Sequence, residues 1–233
     1  MPYFYFDPTY SLVLIGVIIC MAASAKVRST YAKYSQIRNH GGITGREAAE
    51  KILRGAGLYD VRIERVSGSL TDHYDPRSKV LRLSDSTYSS MSVAAVGVAA
   101  HECGHAIQHA RGYIPLNLRS AIVPIANFGS AIAWPLIFLG LLINSRSSVM
   151  MINLGILAFS FAVLFQIVTL PVEFNASNRA IRILGDANIL YPDELSAAKK
   201  VLGAAALTYV AGAASAILQL LRILILTGGR RDD

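Results

Sequence analysis

Met91-Ser-Val-Ala-Ala-Val-Gly-Val-Ala-Ala-His-Glu-Cys-Gly-His105 is the stretch that decides how the chain is read. Residues 91–100 are an apolar, alanine-rich run that predicts a buried helix, and the run leads straight into His101-Glu102-Cys103-Gly104-His105. On a helix, residues i and i+4 lie one above the other on a single face. Both imidazoles can therefore reach one tetrahedral Zn²⁺ through their ring nitrogens. Glu102 turns partly toward the same open side, where it can take a proton from a water at the metal. The H-E-x-x-H spacing is thus a set of roles as well as a string. With 5 histidines and 6 glutamates in 233 residues, random placement yields only about 0.003 such motifs. A buried helix that ends in these polar groups has placed them where burial is costly unless they are used. The plainer alternative is a helix with two structurally satisfied histidines.

Composition widens the reading. Hydrophobic residues make up 53% of the chain and charged residues 16%, against about 25% charged in an average globular protein. That balance points to a membrane protein. The net charge of +7 is then read by position, because Lys and Arg in loops orient membrane helices. The basic residues are scattered and not interleaved with aromatics, so no nucleic-acid partner is expected. Cys20 and Cys103 make no disulfide framework. Cys103 is off the i, i+4 spacing and reads as packing.

Four apolar stretches are candidates to span a bilayer. Tyr3-Phe4-Tyr5-Phe6 resembles an interfacial aromatic cluster, and residues 10–25 carry no charge. Ala23-Ser24-Ala25 would suit a cleaved signal peptide, but the first ten residues hold Asp7 and no Lys or Arg, so residues 1–25 read as an uncleaved anchor. Residues 121–143 and 149–171 are each 23 long and uncharged, with Pro124 and Pro135 inside the first. Both are long enough to cross, and membrane helices tolerate proline. The connector 144–148 carries Arg146 as its only charge, so 121–171 is expected to form a membrane hairpin. A fourth span falls at about 203–226, with Arg222 snorkelling or paired near its end.

Between the spans lie two more polar segments, 26–120 and 172–200, with the terminal span and tail at 201–233. The first holds 14 Lys and Arg and the second 4. Four crossings put both on one side, and the positive-inside rule makes that side cytoplasmic. Within 26–120, Thr44 and Glu47 have capping-box spacing, and Ala48, Ala49, Ile52 and Leu53 supply the apolar face of a helix that stops at Gly55 and Gly57. Residues 61–66 and 79–84 alternate as strands do, and residues 70–76 read as a polar loop. The implied small sheet could hold an extended peptide along an exposed edge. His109 continues the histidine row, but it lies about 12 Å along the axis from His101, too far to share one metal on a straight helix.

A catalytic zinc takes three protein ligands and keeps one position open. Pro171-Val-Glu-Phe-Asn-Ala-Ser-Asn-Arg-Ala180 follows the third span on the same expected side as the histidines. Pro171 would start a helix there, with Glu173, Ala176, Ser177 and Ala180 along one stripe. A carboxylate heading a row of small residues suits a helix packed closely on the metal helix. Glu173 is the sole acid of the segment and the expected third ligand; the alternative is a charge favouring a helix N-terminus. Arg179, His73, Tyr74 and His109 are the candidates to donate to a developing oxyanion.

The H-E-C-G-H motif, Leu70-Thr-Asp-His-Tyr-Asp-Pro76 and Pro171-Val-Glu-Phe-Asn-Ala-Ser177 together resemble the membrane neutral zinc metallopeptidases of the YugP type, over nearly the whole chain. More distantly the chain is similar to HtpX-type membrane proteases, in which a membrane hairpin also separates the histidines from a glutamate. The resemblance implies His101, His105 and Glu173 as ligands of one Zn²⁺ and Glu102 as base. Ser177 stands where the HtpX-type pattern has Asp, so a hydroxyl would support a ligating histidine. Asn175 stands where Asp is expected in YugP-like chains. The expected protein is mostly α, with four transmembrane helices and a cytosolic α+β zincin-like domain. It would be a multi-pass metalloendopeptidase of the cell membrane, acting on protein or peptide substrates in contact with the lipid bilayer, with oligomerisation left open. The rival is a zinc-binding membrane scaffold or quality-control factor without proteolytic activity.

Overall fold

A computed structural model describes residues 7–143 and 146–228. The aromatic cluster at 3–6, positions 144–145 of the hairpin connector and the tail from 229 lie outside the described residues. In chain order the elements are α1 (Tyr10–Tyr34), α2 (Gly45–Gly55), β1 (Arg62–Val66), β2 (His73–Asp75), β3 (Val80–Ser84), α3 (Asp85–Tyr88), α4 (Val93–Ala110), α5 (Ile114–Leu142), α6 (Arg146–Asp186) and α7 (Pro192–Gly228). The protein is mostly helical with one small sheet. Among the described residues, α1, α5, α6 and α7 are long and apolar enough to cross a membrane. The chain divides into two compact units.

One unit comprises Met1–Ala22, Leu118–Leu170 and Tyr209–Asp233. It is built from apolar helix segments that approach through small residues, as membrane helices do when lipid offers no hydrophobic drive between them. A Cβ on Gly129 would lie 2.6 Å from the Ala158 carbonyl oxygen, and one on Gly155 would lie 2.9 Å from that of Ala133. Arg222 is paired here: its Nη2 is 3.4 Å from Asp7 Oδ2, and its guanidinium sits 4.2 Å from the centre of the Tyr10 ring.

The other unit comprises Ala23–Asn117 and Pro171–Thr208. The expected capping box starts α2: Thr44 Oγ1 accepts from Glu47 N at 3.2 Å, and Glu47 Oε2 accepts from Thr44 N at 2.7 Å. Ala48, Ala49, Ile52 and Leu53 of α2 are buried with Leu81 and Leu83 of β3, the apolar side of α4, and Ala180 and Leu184 of α6. The sheet order is β1-β3-β2, with β1 parallel and β2 antiparallel to β3. Residues 73–75, read from sequence as loop, are therefore an edge strand. Turn-forming residues crowd both sides of this strand, so no alternating pattern is long enough to reveal it. Asp72 fixes its start by accepting from Ser84 N and Ser84 Oγ, both at 2.8 Å.

Two further boundaries differ from expectation for one reason. Pro171 does not start a helix but lies inside the 41-residue α6, and α7 begins at Pro192, well before the apolar stretch at 203. Sequence hydropathy marks where a helix turns polar, and a helix need not end there. One continuous helix therefore carries both the third apolar stretch and Glu173.

Candidate metal centre

Helix α4 starts from Ser92, whose Oγ accepts from Ala95 N at 3.1 Å. It buries Val93, Val96, Ala99, Ala100, Cys103, Ala106 and Ile107. His101 and His105 fall on the face toward α6. Gly104 lies between them, and a Cβ there would stand 2.7 Å from the Ala176 carbonyl oxygen. That close approach lets a carboxylate one turn earlier on α6, at Glu173, meet both imidazoles.

His101 Nε2 and His105 Nε2 are 3.1 Å apart. Glu173 Oε2 is 3.3 Å from the first and 3.5 Å from the second. The two histidine side chains are 13% exposed and that of Glu173 is 3%. Donors about 2.05 Å from a tetrahedral zinc stand about 3.3 Å from one another. The observed triangle matches one face of such a tetrahedron, and two imidazoles with a carboxylate are a donor set that zinc accepts. These three residues form a group that could hold a metal ion.

The far sides of both rings are tied down. His101 Nδ1 is 3.1 Å from Ser177 Oγ. His105 Nδ1 is 3.0 Å from Gln108 Oε1, an oxygen that can only accept, so Nδ1 carries a proton and Nε2 is the nitrogen turned toward Glu173. Burial disfavours a charged His105, but the hydrogen bond to Glu173 and the nearby Glu102 and Glu173 charges outweigh it and raise its pKa. Glu102 is itself buried. Cys103 packs against Ala49, and burial pushes its thiol pKa well up, in line with a packing role.

The remaining candidates separate. Tyr74 Oη of the edge strand lies 3.0 Å from His109 Nδ1, which brings two of them together. Burial, and then the Asp60 and Asp75 charges, raise the Tyr74 pKa, so the phenol stays protonated. Arg179 Nε donates to Asn175 Oδ1 at 2.6 Å and stacks over Tyr113. His73 is exposed and turned to the Thr71 carbonyl at 2.9 Å, away from the triad's hydrogen bonds. Sequence reading missed Gln108. Its signal was its place three residues after His105 on the same helical face, an apolar side where an amide is out of character.

The family described as "Putative neutral zinc metallopeptidase" matches residues 9–228. The chain belongs to this family. A relative named "Putative membrane protease YugP", from Bacillus subtilis (strain 168), is 48% identical over 223 residues, covering 95% of this chain and 97% of the relative. No solved structure matches. Membership of the zinc metallopeptidase family agrees with the donor set described above, and the relative's name agrees with the four apolar helices.

Proposed function

We propose that the chain is a multi-pass membrane zinc metalloendopeptidase that hydrolyses peptide bonds in membrane or membrane-associated proteins. The observation that carries this reading is the triangle of His101 Nε2, His105 Nε2 and Glu173 Oε2, with edges of 3.1, 3.3 and 3.5 Å. One zinc ion held by these atoms would supply Lewis acidity, acidifying a water toward a pKa of about 7. The rest is done by the chain. Glu102 takes the proton from the attacking water and delivers it to the amide nitrogen, so that the C–N bond breaks with a neutral amine leaving. Burial of Glu102 keeps bulk water from competing for that proton. Strand β2 is an edge, and an extended substrate can add to it through main-chain hydrogen bonds. Tyr74, on that strand and paired with His109, is a candidate donor for the charge that builds on the carbonyl oxygen.

The zincin-like unit formed by 26–120 and 172–200 is assigned to the cytoplasmic side of the cell membrane on its excess of Lys and Arg. Glu102→Gln tests the mechanism. Cleavage should fall by about 10²–10⁴-fold while elemental analysis still finds zinc, and membrane proteomes of wild type and variant should differ in the substrates that accumulate. Unchanged turnover in Glu102→Gln would reject Glu102 as the base.

A further inference from the structure

Gln108 is fully buried, on the side of His105 away from Glu173. Both donor hydrogens and the oxygen of this buried amide find partners, and each bond reaches the centre. Its Oε1 is 3.0 Å from His105 Nδ1. Its Nε2 donates to the Val172 carbonyl at 2.8 Å and to Asn175 Oδ1 at 3.0 Å. Val172 immediately precedes Glu173, and Asn175 follows it by two residues. One side chain therefore touches the ring of one expected ligand and the backbone beside another, on two different helices. Asn175 Oδ1 also accepts from Arg179 Nε at 2.6 Å. This fixes which end of the Asn175 amide faces Gln108, and in turn which end of Gln108 faces His105.

The chemistry of these contacts is specific. An amide oxygen beside Nδ1 selects the tautomer with the proton on Nδ1, the one that leaves Nε2 free for a metal. Leucine or methionine could fill the same volume and would leave the His105 ring free to turn over or to protonate Nε2 instead. A carboxylate at this position would keep the acceptor and give up the donor.

We propose that Gln108 is a positioning residue for the metal centre: it holds His105 in its metal-binding tautomer and fastens helix α6 so that Glu173 stands opposite. This rests on the reading of His101, His105 and Glu173 as zinc ligands, and the test separates the two. Zinc affinity is measured by competition with a chromophoric chelator on the purified full chain, alongside the visible absorption of the cobalt-loaded protein. Wild type, Gln108→Leu, Gln108→Glu and His105→Ala are compared, with thermal melting as a check on folding. Gln108→Leu should bind zinc about 10–100-fold more weakly than wild type and show weaker, shifted cobalt bands. Gln108→Glu, which keeps the acceptor at His105 and loses the donor to α6, should recover part of that loss but not all of it. Wild-type affinity and cobalt bands in Gln108→Leu would overturn the proposal, as would Gln108→Glu binding no better than Gln108→Leu. Should Gln108→Leu fail to fold, Gln108→Glu carries the test alone: affinity below wild type but well above His105→Ala supports the proposal, affinity equal to wild type overturns the fastening of α6, and affinity as low as His105→Ala overturns the acceptor role. A wild-type chain that binds neither metal would instead sink the ligand assignment itself.

Discussion

Two hydroxyl and amide groups, Ser177 Oγ and Gln108 Oε1, hold the two imidazoles from behind, each about 3 Å from an Nδ1. They differ in what removal should cost. Ser177 is partly exposed and touches one ring, so water can replace its hydroxyl; Gln108 has no such substitute. Ser177→Ala is therefore expected to weaken zinc binding by no more than about tenfold, the lower end of the effect of removing a group behind a ligand. Glu173→Ala removes a donor outright and should leave the purified protein with little zinc at all. Elemental analysis and chelator competition on the two variants check both outcomes, and full zinc occupancy in Glu173→Ala would take that residue out of the ligand set. The contrast also explains what the sequence disclosed. His101, Glu102 and His105 announce themselves by spacing, and Glu173 is the one acid in its segment. Gln108 stands three residues after His105, but that spacing alone is no motif and its other bonds reach α6; the Tyr74–His109 pair joins two elements that lie apart in the chain.

Helices α4 and α6 meet at Gly104, and the closeness of that crossing is what brings a carboxylate to the histidines. A Cβ at Gly104 would come within 2.7 Å of the Ala176 carbonyl oxygen, 3.1 Å of its Cα and 3.2 Å of its carbonyl carbon. These are backbone atoms that cannot swing aside. Gly104→Ala should thus push the helices apart, costing about 1–3 kcal/mol from overpacking, which outweighs the roughly 0.5–1 kcal/mol that alanine gains over glycine in a helix. At Gly55, the end of α2, an added Cβ would meet nothing within 4 Å, so Gly55→Ala should keep the gain and melt slightly higher than wild type. Thermal melting of the pair, with zinc content measured on each, reads the sign directly. A Gly104→Ala protein that is as stable as wild type and fully loaded would show that close crossing is not needed. At this scale uncharged apolar runs located the long helices among the described residues, but not that α6 continues past Pro171 or that α7 begins at Pro192. The helices run on through Pro171, which forgoes one backbone N–H, and through the polar residues before 203, because a fall in hydropathy does not by itself end a helix.

For the molecule as a whole, the expected ligands come from parts of the chain separated by two apolar helix segments. His101 and His105 precede the proposed 121–171 hairpin and Glu173 follows it. Two crossings return the chain to the side it left, so an even number of spans between ligands is what a shared site requires. The 14 Lys and Arg in residues 26–120, with 4 more in 172–200, favour the cytoplasm as that side. Tyr59 is 79% exposed and Tyr191 is 59% exposed; one precedes the hairpin and the other follows it. Tyr59→Cys and Tyr191→Cys, each in a Cys20→Ala background, should both resist a membrane-impermeant maleimide in right-side-out vesicles. Both should react in inverted ones, while Cys103 stays silent because it is buried. Labelling of both in right-side-out vesicles would move the centre to the outer face and leave the triad intact. Labelling of one and not the other would place Glu173 across the bilayer from the imidazoles, and no metal could then be shared between them.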